Sequence, residues 1–178
     1  LDWHYRDKYE AIELSGKNLL IVGYGRIGQR VAELALGFGM NIRVFDPFIS
    51  RQIVSTEVVY HDCLEDAISD ADCISLHLPQ LNTPILSKEV ARYFKRGVII
   101  INTSRGGLIE PKILIEGIDS GLIGGLGLDV FEEEPPEKKM VFANYKQVIV
   151  TPHQAGLSAE AAKRMSLKSV QNVLDFFD

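Results

Sequence analysis

The apolar run Leu19-Leu20-Ile21-Val22 passes without a break into Gly23-Tyr24-Gly25-Arg26-Ile27-Gly28, and no other stretch of the chain narrows its fold so far. A short run with no polar side reads as a strand covered on both faces, as in a parallel sheet. Gln29 to Phe38 then carries apolar residues at helical spacing. In such a strand–turn–helix unit Gly23 permits the tight turn, Gly25 lets a pyrophosphate approach the backbone, and Gly28 lets the helix lie close on the strand. The free N–H groups and positive dipole end of the helix favour an anion. A second apolar strand, Ile42 to Phe45, ends in Asp46. A carboxylate there accepts hydrogen bonds from an adenosine ribose and repels a 2′-phosphate, so the order strand, helix, strand, acid predicts NAD in preference to NADP.

The elements that follow keep alternating. Val58-Val59 precedes an acidic helical segment from Leu64 to Ser69, and Cys73 to Leu78 is an apolar run closed by Pro79. Helical spacing returns at Ser87 to Phe94, Gly97 introduces the strand Val98 to Ile101, and Pro111 suits the first turn of a helix ending near Gly121. Gly124 to Asp129 and Val148 to Val150 read as further strands. This alternation predicts an α/β fold, a doubly wound parallel sheet of Rossmann type with helices on both faces. The 178 residues, 46% hydrophobic, suffice for one good core. Net charge is −5 without a basic block, which argues against nucleic acid as a partner. No apolar run is long enough to span a membrane, and no secretory signal opens the chain. Cys63 and Cys73 lack the spacing of a redox pair or a zinc site and read as reduced thiols; no metal site is expected. A cytoplasmic protein follows from these features. The first residue is Leu1 rather than methionine, which suits an excised or processed piece.

In an open parallel sheet, ligands sit beyond the carboxyl ends of the strands. Asn102-Thr103-Ser104-Arg105-Gly106-Gly107 follows one strand, Asp129 closes another with Glu134 shortly after it, and Thr151-Pro152-His153-Gln154-Ala155-Gly156 follows the last. An arginine, two acids and a histidine are thereby delivered to one rim. Each residue alone has a plainer reading: Arg105 as a surface ion pair, His153 as a structural imidazole, Glu134 as part of a solvated acidic run with Glu132 and Glu133. His77, beside Pro79, reads as structural or cofactor-adjacent, and His4 and His61 as surface residues.

Taken in order, Gly23-Tyr24-Gly25-Arg26-Ile27-Gly28, His77-Leu78-Pro79, Asn102 to Gly106, Leu128-Asp129-Val130-Phe131-Glu132-Glu133-Glu134-Pro135 and Thr151 to Gly156 resemble the successive signatures of the D-isomer-specific 2-hydroxyacid dehydrogenases. The resemblance implies an NAD-dependent hydride transfer on a small 2-hydroxy or 2-oxo acid. Arg105 would hold the substrate carboxylate through its planar fork, His153 would act as general acid–base, and Glu134 would pair with that imidazole and fix its orientation. Asp129 would lie near the nicotinamide. Main-chain N–H groups of Arg26 and Ile27 would meet the pyrophosphate. Tyr24, Leu78, Pro79, Thr83, Thr103, Ser104 and Gly156 would complete the cofactor groove.

Enzymes of this family set the cofactor domain inside a substrate domain, and nothing here supplies the N-terminal part of the latter. The expected organisation is a connecting helix at 1–14, the NAD-binding domain at 15–156, and a helix at 157–178 leading back toward the missing part. Ser158 is a plausible N-cap for that helix, and Leu167, Val170, Leu174 and Phe177 form an apolar stripe that should pack against something. A chain of this kind binds NAD but turns over little alone, because its cleft has one wall. Family habit also implies a homodimer. Two rival readings use the same first motif: an NAD-sensing module that keeps the dehydrogenase fold, and a Rossmann domain for another nucleotide such as S-adenosylmethionine.

Overall fold

A computed structural model describes residues 3, 11–49, 57–136 and 144–177. Seven parallel strands make one sheet: β1 (Asn18–Val22), β2 (Asn41–Phe45), β3 (Val58–His61), β4 (Cys73–Leu76), β5 (Val98–Asn102), β6 (Ile123–Leu128) and β7 (Val148–Val150). Their order is β3-β2-β1-β4-β5-β6-β7, so the winding reverses between β1 and β4. The helices are α1 (Arg26–Gly37), α2 (Leu64–Ser69), α3 (Lys88–Ala91), α4 (Pro111–Asp119) and α5 (Ala159–Phe177), with a 3-10 turn at Gly106–Leu108. The pairing register carries one row of residues across the whole sheet: His61, Phe45, Val22, Leu76, Asn102, Leu128 and Val150. Every strand therefore stops at the same line, and every loop that follows one starts from a common edge.

The unbroken apolar sequence of β1 follows from burial on both sides. Leu20 and Val22 pack with Ile74, Leu76, Ile100 and the helices α2 and α4, whereas Leu19 and Ile21 pack with Ile42, Val44 and α1. Each such fully buried side chain is worth about 1.5–3 kcal/mol relative to exposure. The buried face of α1 is Gly28, Ala32 and Ala35, small residues that let the helix lie low on the sheet. Pro111 occupies the first turn of α4, and Gly121 just past its end takes a left-handed φ of 71°.

Three expectations change. The helix after the glycine turn begins at Arg26, inside the motif, rather than at Gln29. The helix expected over 87–94 is one α turn, because Tyr93 and Phe94 donate to the carbonyls three residues back and the tighter winding turns Phe94 into the core. The strand expected at Gly124 begins at Ile123. Of the proposed connecting helix at 1–14, residues 1–2 and 4–10 lie outside the described residues, and 11–14 carry no helix. The last helix does start at the expected cap: Ser158 Oγ accepts the N–H of Ala161 at 3.0 Å. Its stripe is uncovered among the described residues, with Leu167, Val170, Leu174 and Phe177 all exposed.

Candidate active site

The turn between β1 and α1 is held by close backbone approaches. Gly23 has a φ of 94° and donates its N–H to Phe45 O at 2.9 Å; a β-carbon on it would come within 2.6 Å of His77 O. A β-carbon on Gly28 would collide with Gly23 O, whereas one on Gly25 would meet nothing within 4 Å. The first helical bond of α1 runs from Gln29 N–H to Gly25 O at 2.9 Å, so the N–H groups of Arg26, Ile27 and Gly28 stand ahead of it at the helix start. This is an open cradle of donors at a positive dipole end, the chemistry a pyrophosphate needs. Asp46 follows β2 and is 7% exposed; its Oδ2 accepts Tyr24 N–H at 2.8 Å and its Oδ1 accepts Phe48 N–H at 2.9 Å. Each carboxylate oxygen keeps a lone pair, which leaves Asp46 able to take a ribose hydroxyl. The residues present thus fit a dinucleotide.

Tyr24 is placed differently from the expectation. Its ring is buried in the α1-side core, its N–H goes to Asp46, and its carbonyl accepts Gln29 Nε2 at 3.0 Å. Its main chain thereby ties the turn to Asp46 and to α1. Leu78 is half-buried at the start of the loop after β4, and Pro79, Thr83, Thr103 and Gly156 are exposed along the same edge of the sheet. Ser104 is engaged internally: its Oγ donates to Leu76 O at 3.0 Å and its N–H to Asn102 Oδ1 at 3.1 Å.

Three loops at the far side of the edge carry the ionisable groups. Buried Asn102 closes β5 and folds the next residues back, donating Nδ2 to Arg105 O at 2.7 Å. Arg105 is exposed, with Nη1 donating to Ser104 O at 2.6 Å. A β-carbon on Gly106 would fall on the Phe131–Glu132 peptide, so the loop bearing Arg105 lies directly against the loop bearing Glu134.

Asp129, 3% exposed, ties the end of β6 to the loop after β7. It accepts Thr151 Oγ1 at 2.5 Å, Gln154 N–H at 2.8 Å and Ala155 N–H at 2.9 Å. Burial works against its charge, but these hydrogen bonds outweigh burial and hold its carboxyl below the usual range. Between those anchors stands His153, in a left-handed conformation with φ 51°. Its Nδ1 lies 2.6 Å from Glu134 Oε2, and Glu134 Oε1 accepts Phe131 N–H at 3.0 Å. The imidazole, and then the Phe131 N–H, push the Glu134 carboxyl below its ordinary value. A carboxylate can only accept, so Nδ1 carries a proton and Nε2 is the nitrogen left to exchange one. Arg105, Glu134 and His153 line one cavity of about 270 Å³, together with Gln80 and Glu132.

Sequence reasoning gave no role to Asn102, Gly106, Thr151 or Gln80. Asn102 was the most findable, since an Asn followed by a polar loop at a strand end favours a side-chain-closed turn. His77 is half-buried, with Nε2 2.9 Å from Ser75 Oγ, and burial lowers its pKa. His61 is not a surface residue as expected: it is half-buried at the end of β3, Nε2 3.3 Å from Arg43 Nη1, with its pKa lowered by burial and then by that guanidinium. His4 lies outside the described residues.

Comparison with known proteins matches residues 1–155 to the model of the D-isomer specific 2-hydroxyacid dehydrogenase, NAD binding domain. A D-3-phosphoglycerate dehydrogenase of Bacillus subtilis is 38% identical, over 98% of this chain and 33% of its own. A hydroxypyruvate reductase of Thermotoga maritima is 40% identical, over 90% of this chain and 53% of its own. Among solved structures, D-lactate dehydrogenase from Aquifex aeolicus, complexed with NAD and lactic acid, superposes with a TM-score of 0.84 at 31% identity, over 96% of this chain and 56% of that one. A D-2-hydroxyisocaproate dehydrogenase gives 0.90 at 27% identity, over 99% and 57%. The chain therefore spans between just over a quarter and just over half of the proteins it matches.

Proposed function

The chain belongs to the D-isomer specific 2-hydroxyacid dehydrogenases through their NAD-binding domain, and on that premise we propose that it serves an enzyme interconverting a small D-2-hydroxy acid and the corresponding 2-oxo acid. The observation that carries this reading is the convergence of Arg105, Glu134 and His153 on one cavity. Arg105 holds the substrate carboxylate through two parallel hydrogen bonds, a geometry that Lys cannot copy. His153 Nε2 takes the proton of the C2 hydroxyl during oxidation and returns it during reduction. Glu134 fixes the orientation and tautomer of the ring through Nδ1. Asp129 holds the main chain on the C-terminal side of His153, so the imidazole is positioned from the end of β6. Bound NAD supplies the hydride acceptor, and the glycine cradle and Asp46 are the residues that would hold it.

The substrates named for the relatives, phosphoglycerate, hydroxypyruvate and glyoxylate among them, support a small, short-chain acid. We place the protein in the cytoplasm as a homodimer, without nucleic-acid or membrane partners. The net charge of −5 supports the first exclusion, and among the described residues no helix is long and apolar enough to cross a membrane. Steady-state oxidation of NADH by the full-length protein against a panel of 2-oxo acids tests the assignment. His153→Asn and Glu134→Gln should each lower kcat by about 10²–10⁴-fold, the range for losing general acid–base catalysis or its orienting group, with NADH still bound. A full-length protein that binds NADH but reduces no 2-oxo acid would make it an NAD-sensing module instead.

A further inference from the structure

Gln80 lies in the loop after β4 and faces the cavity that Arg105, Glu134 and His153 share, yet the reaction as described gives it no task. Its exposed amide lies over Gly107: a β-carbon there would come within 2.6 Å of Nε2 and 3.5 Å of Oε1, so the absent side chain is what lets the amide lie there. One N–H donates to Leu81 O at 3.0 Å, which leaves a second N–H and the Oε1 acceptor able to meet a ligand.

We propose that Gln80 reads the third carbon of the substrate and selects 2-oxo acids that carry an uncharged hydroxyl there over those that carry only hydrogen or hydrocarbon. This rests on the dehydrogenase reading above. If Arg105 takes the C1 carboxylate and His153 the C2 oxygen, the substituent on C3 falls to the remaining uncharged polar head on the wall. An amide can donate to a hydroxyl or accept from it, and it keeps an unmet hydrogen bond when a methyl group stands in that place. The same wall disfavours a phosphate on C3. It offers one guanidinium, already committed to the carboxylate, beside the acidic side chains of Glu132 and Glu134, and a phosphate would bring nearly two further negative charges to it.

The test is steady-state kinetics of the full-length protein with NADH and three acids: hydroxypyruvate, pyruvate and 3-phosphohydroxypyruvate. The wild type should prefer hydroxypyruvate. Gln80→Leu should lower the hydroxypyruvate-to-pyruvate ratio of kcat/KM by about tenfold, the effect of one exposed neutral hydrogen bond, and Gln80→Glu, which keeps an acceptor of the same shape, should lower it less. A ratio that does not move, or a Leu variant that loses both acids alike, overturns the role of Gln80 and leaves the dehydrogenase assignment standing. A wild type that prefers the phosphorylated acid overturns it too. A wild type that reduces no 2-oxo acid overturns both readings together.

Discussion

Replacing Gly106 by Ala should separate the two halves of the acid-binding wall. A β-carbon at this position would meet the carbonyl carbon and oxygen of Phe131 and the nitrogen of Glu132, all well under the 3.0 Å that real β-carbons keep. All three are main-chain atoms, so no rotamer change relieves the clash. Non-bonded carbons settle near about 3.5 Å, and the β-carbon would start 2.0 Å from the Phe131 carbonyl carbon, so the two loops must part by more than about 1 Å. Overpacking of this kind costs about 1–3 kcal/mol. At about 2–4 °C per kcal/mol for a domain of this size, Gly106→Ala should lower Tm by several degrees. The larger effect is kinetic. Arg105 is on one side of the opened seam and Glu134 on the other, and a 1 Å misplacement in a reacting constellation costs about 100-fold. In the full-length protein kcat/KM should fall by about that factor, while NADH affinity, set mainly at the β1–α1 turn, changes far less. Gly127→Ala is the control: its β-carbon would meet Ile101 side-chain atoms at 3.8 Å and 3.9 Å, an ordinary contact. If Gly106→Ala matches the wild type in both Tm and kcat/KM, the close seam between these loops does not govern the geometry of the site.

Asp129→Asn should destabilise the protein by about 1.5–3 kcal/mol, because the amide turns donors toward at least one of three donors and gives up charge-assisted bonds. The folded pKa values of Asp129 and Asp72 are depressed, so their stabilisation is present above the unfolded value of about 3.9 and is lost as pH falls through the folded values. Thermal melts between pH 7 and pH 3 should show that loss, with a smaller drop in Asp129→Asn. NADPH should bind at least about 100-fold more weakly than NADH in calorimetry, because its 2′-phosphate meets the Asp46 carboxylate; equal affinities would remove Asp46 from that role. Burial pushes the Cys73 thiol up to about 11, leaving roughly one thiolate in a thousand at pH 8. A thiol reagent on the native protein should therefore label exposed Cys63 quickly and Cys73 only on unfolding; equal rates would contradict that environment.

How far the chain could be read without coordinates depended on whether a constraint was local. The β1–α1 turn was legible because its glycines answer to contacts a few residues away, and a helix packed on a strand at Gly28 admits no side chain. Pro111 and Ser158 marked their helix starts for equally local reasons. The burial of Tyr24 was not legible: it follows β1 in the glycine turn, and its ring lies in the α1-side core. Nor was the fixing role of Asp129, whose three donors lie 22 to 26 residues downstream and meet it only because β6 and β7 pair in register. The overlong helix at 87–94 came from apolar spacing that a tighter 3-10 winding also satisfies. His61 looked like a surface residue until β3 paired with β2 and set it against Arg43.

The single line on which all seven strands stop has a further consequence: it gauges ligand length. Neighbouring strands are spaced by about 4.8 Å, and from β1 the site-bearing strands β6 and β7 are three and four places along. A molecule gripped by its phosphates at the glycine turn must reach roughly 14–19 Å sideways before it touches the ground held by Asp129 and His153. With its first ribose at Asp46, on the β2 side of that turn, a mononucleotide ends at the glycine turn; only a ligand that continues past the phosphates with a second nucleoside extends toward that ground, so the strand order sorts dinucleotides from their halves.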